Sequence, residues 1–174
     1  MSREFAVRPV SARAMLLPGA ALAAAAIGML FVMLRGDLKV AWVFPIILLS
    51  AGLIAFSLRR RRVSLDNGVL AIAAGLNTRR IAIGEIDLGG ARIVDLREHT
   101  DLKPMLKVMG TSLPGYDAGH FRLRNRSKAF LLLSDRTRVL VLPEKSGRKL
   151  LLSLEQPQAL LDELRRVAER RGAR

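Results

Sequence analysis

The chain has 174 residues, no cysteine, and 29 Lys and Arg against 15 Asp and Glu, a formal charge of +14. The lack of thiols excludes disulfides, thiolate metal sites and cysteine nucleophiles. The basic excess directs attention to anionic partners, lipid headgroups or nucleic acid, and the 116 residues from Arg59 onward suffice for one small domain but not two.

Residues 1–13 form a short N-terminal segment carrying Arg3, Arg8 and Arg13. Two apolar runs without a charge follow, 14–34 and 40–58, joined by Arg35-Gly36-Asp37-Leu38-Lys39. As helices rising about 1.5 Å per residue they would extend about 31 and 28 Å, the thickness of a bilayer hydrocarbon core. The sequence therefore predicts a transmembrane helical hairpin over 14–58. Seven basic residues flank its outer ends, Arg3, Arg8, Arg13 and the juxtamembrane Arg59-Arg60-Arg61-Arg62, against Arg35 and Lys39 in the loop. That imbalance predicts a multi-pass protein of the cytoplasmic (inner) membrane with both termini cytoplasmic. A cleaved signal peptide is the weaker reading of the first run, which is too long for a signal core and continues to Leu34 with no polar region before that point. Gly19, Ala23, Ala24 and Gly28, with Ala51 and Ala55, suit close packing of the two spans on each other. Pro18 is expected in the first helical turn, Pro45 at a bend, and Trp42 at interfacial depth. Neither run has an ionisable residue at its centre, which argues against an ion pathway.

From residue 63 to 171 the pattern predicts one mainly-β domain. The runs 63–66 and 69–72 flank Asn67-Gly68, the sequence of a type I′ hairpin turn. Strands are expected over 79–83 and 91–96, completing a meander, and over 119–124, 128–134, 137–142 and 149–152, all antiparallel. Residues 97–118, dense in Gly, Pro and charge, read as a long binding loop in which Pro114, Gly115 and Tyr116 are candidate contacts. After Gln156-Pro157 the spacing of Leu160, Leu161, Leu164 and Val167 gives an amphipathic helix that must cover the sheet.

No catalytic or metal constellation stands out. His99, beside Glu98 and Asp101, suits a solvated loop, and His120 is expected to face outward with Arg122 and Arg124. The glycines of 110–119 do not follow a parallel strand into a helix, so phosphate-loop readings fail. No cofactor and no enzymatic activity are expected. The remaining signal is basic: Arg122, Arg124, Arg126 and Lys128 recur at every second position, with Arg138 on the next strand. Held under an anionic leaflet, each would contribute on the order of 1 kcal/mol to contact with headgroups. Nucleic acid is disfavoured, because the basic strands lack stacking aromatics and no helix-turn-helix pattern is present.

Several short antiparallel strands closed by one C-terminal amphipathic helix is the architecture of a pleckstrin-homology (PH) domain, and the sequence resembles the bacterial PH-like family over about residues 63–168. Leu65-Asp66-Asn67-Gly68-Val69-Leu70 with Arg80-Ile81-Ala82-Ile83 is similar to the start of such domains, and the segment from Gly110 to Phe121 resembles their central loop and following strand. Leu151-Leu152-Ser153-Leu154-Glu155-Gln156-Pro157 resembles the entry to the last helix, except that Leu154 stands where a proline is often found. The resemblance implies a split barrel or sandwich capped by the helix, and an anchored form with a membrane hairpin ahead of it. It implies a non-catalytic binding or scaffolding module; the alternative is an accessory subunit of a membrane transport or envelope-stress complex. The partners expected are membrane lipids, with either anionic headgroups or a membrane protein as ligand; the sequence specifies no oligomeric state.

Overall fold

The computed structural model describes residues 3–10, 12–35 and 42–172. The hairpin loop at 36–41, with Lys39, lies outside them. In chain order the elements are β1 (Arg3–Phe5), α1 (Ala12–Leu34), α2 (Val43–Arg59), β2 (Arg61–Asp66), β3 (Val69–Ala74), β4 (Asn77–Ala82), β5 (Arg92–Val94), β6 (Pro104–Leu113), β7 (Tyr116–Leu123), β8 (Lys128–Leu133), β9 (Val139–Pro143), β10 (Lys149–Ser153) and α3 (Pro157–Gly172).

The Asn67-Gly68 turn forms as expected: its residues have φ of 48° and 73°, and β2 and β3 pair in register from Asp66↔Val69 to Arg61↔Ala74. β1 to β4 make a four-stranded sheet in that order, and a six-stranded sheet runs β5-β9-β10-β8-β7-β6. The expected meander is corrected here, because β5 leaves the first sheet and pairs with β9. The all-antiparallel expectation is corrected at one place: β10 lies parallel to β8. No closed barrel results. The sheets face each other across a core of Leu70, Ile72, Ile81, Tyr116, Phe130 and Leu142. α3 closes it with Leu160, Leu161 and Leu164, and Pro157 sits at its first residue, where a missing N–H costs nothing. A second apolar cluster covers the outer face of the six-stranded sheet, with Leu96 and Leu102 of the β5–β6 connection lying over Phe121, Leu131 and Val141. Burial on both faces explains why β8 to β10 read as unbroken apolar runs rather than alternating ones.

The loop expected at 97–118 is half strand. Residues 104–113 form β6, the edge of the large sheet, with Pro104 at its first position, where no ladder donor is required. Gly110 pairs with Gly119, and a Cβ built on Gly119 would overlap the Met109 carbonyl oxygen. The glycines that make the segment look like a loop are thus what allow two strands to approach.

Both ends of the helical hairpin enter this domain. β1 pairs with β2, Val7 bridges Leu154, and Arg8 N–H donates to Ser153 C=O at 3.1 Å. At the other end Ser57 Oγ and Thr111 Oγ1 lie 2.9 Å apart, and the Tyr116 hydroxyl donates to the Ser57 carbonyl at 3.3 Å. α2 starts at Val43, so Pro45 falls in its first turn rather than at a bend, whereas Pro18 lies inside α1, which begins at Ala12. Among the described residues no helix is long and apolar enough to cross a membrane. The second expected span of 40–58 appears as a helix of only 17 residues. Two spans are therefore not shown; two packed helices are.

Replacing Gly119 (φ 116°) with Ala is expected to lower stability by about 2 kcal/mol, since the Cβ has no room and the backbone conformation is left-handed. Chemical unfolding of the full chain in neutral detergent checks this; an unchanged midpoint contradicts the β6–β7 register.

Candidate functional site

On β7 and β8, alternation places Ala118, His120 and Arg122, with Lys128, Phe130 and Leu132, on the face that looks toward the first sheet. Ala118, Phe130 and Leu132 sit in the shared core. His120, Arg122 and Lys128 lie farther along, where the sheets part, and Arg79 of β4 approaches from the opposite side. A cavity of about 580 Å³ opens there, with Val108, Met109, His120, Arg122, Phe130 and Arg148 in its wall. A second of about 640 Å³ adjoins it under the β9–β10 turn and shares Arg79, Lys128, Glu144 and Arg148.

The charges are not balanced. Arg79 Nη2 donates to Glu144 Oε2 at 2.8 Å and to Oε1 at 3.0 Å, Arg79 Nε to Oε1 at 3.2 Å, and Ser146 Oγ to Oε2 at 2.9 Å. The Glu144 side chain is only 4% exposed, so that carboxylate is fully committed. Arg122, Lys128 and Arg148, all at the cavity, have no ion-pair partner among the described residues. His120 stands among them, its ring edge-on to Phe130 with centroids 4.9 Å apart. Its Nδ1 is buried without a hydrogen-bond partner. Burial first, then Arg79 and Arg148, holds the imidazole below its ordinary value of 6.5 and therefore neutral at physiological pH.

The expected basic residues are only partly brought together. Arg122 and Lys128 are direct cross-strand neighbours. Arg124 and Arg126 are exposed at the β7–β8 turn, where Arg126 has φ of 65°. Arg138 lies at the other end of the sheet, since Val139 pairs with Ser153 while Ala129 pairs with Lys149. Pro114 and Gly115 form the exposed β6–β7 turn. Tyr116 is fully buried against α2, its hydroxyl pushed up to about 12 by burial, so it anchors the helix and offers nothing to a ligand. Of the four arginines at 59–62, Arg59 ends α2 and Arg60 links it to the sheet. Arg61 and Arg62 are already in β2, donating to Arg8 C=O at 3.2 Å and pairing with Glu4 at 2.7 Å. His120 faces along the inter-sheet space rather than outward. Arg79, Glu144 and Arg148 were not singled out in the sequence. The one signal is β4's alternation, which puts Arg79 on the face of Ile81; the turn bearing the other two reaches it only through the tertiary fold.

A mainly-β domain of two facing sheets closed by one C-terminal helix, with a polar cavity at their open edge, has the build of a small binding domain. The family model for the bacterial PH domain matches residues 61–168, and the chain belongs to that family. No significant match was found among curated proteins or among solved structures. PH domains are in general non-catalytic binding modules.

Arg79→Met strands a buried carboxylate and is expected to cost about 3 kcal/mol, most of it recovered in Arg79→Met/Glu144→Leu. Equal costs for single and double variants in equilibrium unfolding would contradict the pairing. Because the His120 pKa is lower folded than unfolded, its neutral form is unopposed above 6.5, and stability is lost as pH falls from there through the folded pKa. The loss of melting temperature between pH 7.5 and 5 is expected to be larger in the wild type than in His120→Gln, measured in the same detergent.

Proposed function

We propose that the protein is a membrane-anchored, non-catalytic binding module that holds its PH domain at the cytoplasmic face of the inner membrane, both termini being cytoplasmic. The observation that carries this is uncovered apolar surface on the two helices. Ile27, Leu30 and Phe31 of α1 and Ile46, Leu48 and Leu49 of α2 are each more than half exposed, in runs 14–34 and 40–58 that contain no charge. A contiguous face of this kind marks contact with lipid or a partner, and the lack of any charge favours lipid. The pairing of β1 with β2 in one sheet supports both ends of the hairpin lying on one side, and the basic residues beyond its ends favour the cytoplasm as that side.

The non-catalytic reading draws support from the cavity. Its imidazole has a partnerless Nδ1, and its one buried carboxylate is held by Arg79 and Ser146, so no base and nucleophile are paired. Binding is what unpaired cations in such a space can do. Arg122 and Lys128, with Arg124 and Arg126 beyond them, are the proposed contacts for anionic groups. Arg124 is about 26 Å along β7 from Tyr116, which is fixed to α2, so direct headgroup contact requires the strand to lie along the membrane.

Two measurements test the anchor. The chain should remain in the membrane pellet after an alkaline carbonate wash, and a reporter fused after Arg174 should read as cytoplasmic while one inserted at Gly36 reads as external. Release by the wash, or an external C-terminal reporter, would sink the reading.

A further inference from the structure

We infer that the cavity between β4 and β7–β8 is a binding site for a single-chain anionic amphiphile, an alkyl or acyl chain bearing a phosphate head. This rests on the binding-module reading and names its ligand class. The space has two characters. Val108 and Met109 of β6, with Ala129 and Phe130, give it an apolar wall, while Arg122, Lys128 and Arg148 give it cations without carboxylate partners. Its volume of about 580 Å³ lies within the range of about 300–1,000 Å³ usual for small-ligand sites. A phosphate monoester carries a charge of about −1.5 to −2 and three acceptor oxygens, matching clustered cations better than a carboxylate does. His120 lines the same cavity, so its imidazole reports on an anion bound beside these cations.

The alkyl part has somewhere to go. Beyond the cavity, Met105 and Leu106 continue the exposed apolar surface of β6, each more than half exposed. Such an edge could instead add a peptide strand, but β6 is irregular where it is apolar, with register breaks between Pro104 and Leu106 and between Lys107 and Met109. Bulges of this kind spoil the ladder that strand addition needs. A chain that makes no hydrogen bonds is indifferent to them, and methionine adapts its shape to such an occupant.

The test uses the full chain in phosphatidylcholine nanodiscs, with the imidazole resonances of His120 and His99 followed by NMR during titration. His99 is exposed in the β5–β6 connection and serves as the internal control. Octyl phosphate is expected to shift His120 saturably and to raise its pKa, because an anion beside Arg79 and Arg148 offsets their field, while His99 stays put. Inorganic phosphate should bind at least tenfold more weakly and octyl glucoside should not shift His120. Lys128→Ser/Arg148→Gln should weaken octyl phosphate at least tenfold, and Met109→Asp should abolish its advantage over inorganic phosphate. Equal affinity for the two phosphates, or no shift with either, overturns the proposal. A chain that resists carbonate but leaves His120 unshifted refutes the cavity ligand and keeps the anchor. One that binds octyl phosphate but washes off refutes the anchor and keeps the ligand.

Discussion

The structure depends on how the last turn of α2 is fixed to the domain. Ser57 and Leu58 are buried at the helix end, and the Ser57 side chain and carbonyl meet Thr111 of β6 and Tyr116 of β7. Only Arg60 separates α2 from β2, and its C=O accepts from Gly75 N–H at 2.9 Å. A flexible linker would leave the domain free to tumble under the helices. Here the helix runs into one sheet and is bonded to the other, so the β6–β7 turn and the β3–β4 turn are both held at the helix end. That choice fixes where the remaining surfaces lie. The cationic cavity is displaced along β7 from this junction, toward the opposite end of the strand.

The N-terminal segment completes the same constraint from the other side. It forms β1, then crosses to β10, and Arg8 forms an ion pair with Asp135, its carbonyl accepting from Ser134 Oγ at 2.7 Å. A helical hairpin whose two ends are stitched into one folded unit has little freedom to separate its helices. Small residues along α1 and α2 then need only let them touch, because the domain already holds their ends in place. Stability of the hairpin and stability of the domain are thereby coupled, since losing β1 would unfasten α1 and expose Val10 of the core.

What was legible in the sequence follows the range of the interactions involved. The Asn67-Gly68 turn, the α3 stripe and the charge-free helical runs are local patterns, and each fell near where it was read. β6 was missed because its glycines and prolines carry the signature of a loop, when they serve an edge strand's close pairing. The parallel pairing of β8 with β10 has no local signature, as both strands are buried runs of leucine. The site was half visible. Period two groups Arg122, Arg124, Arg126 and Lys128, of which Arg122 and Lys128 are cross-strand partners, but it could not show that Arg138 lies at the far end of the sheet or that Tyr116 is a buried anchor. Arg79 comes from β4, Glu144 and Arg148 from the β9–β10 turn, and they meet only because the sheets face each other.

That meeting also explains why the cavity stays open and polar rather than collapsing into core. A buried carboxylate beside one arginine is stable only while the pair persists, and Glu144 is held by both Arg79 and Ser146. The pair bridges the edge of the first sheet to the β9–β10 turn of the second, so it sets the separation of the two walls. Arg122, Lys128 and Arg148 then remain as excess positive charge around a space whose floor is Phe130 and whose rim is Val108 and Met109. Like charges gathered without counter-charge repel one another and weaken the fold locally. An anion would relieve that repulsion, and an apolar chain would cover the rim, so the same features that cost stability favour a ligand that has both.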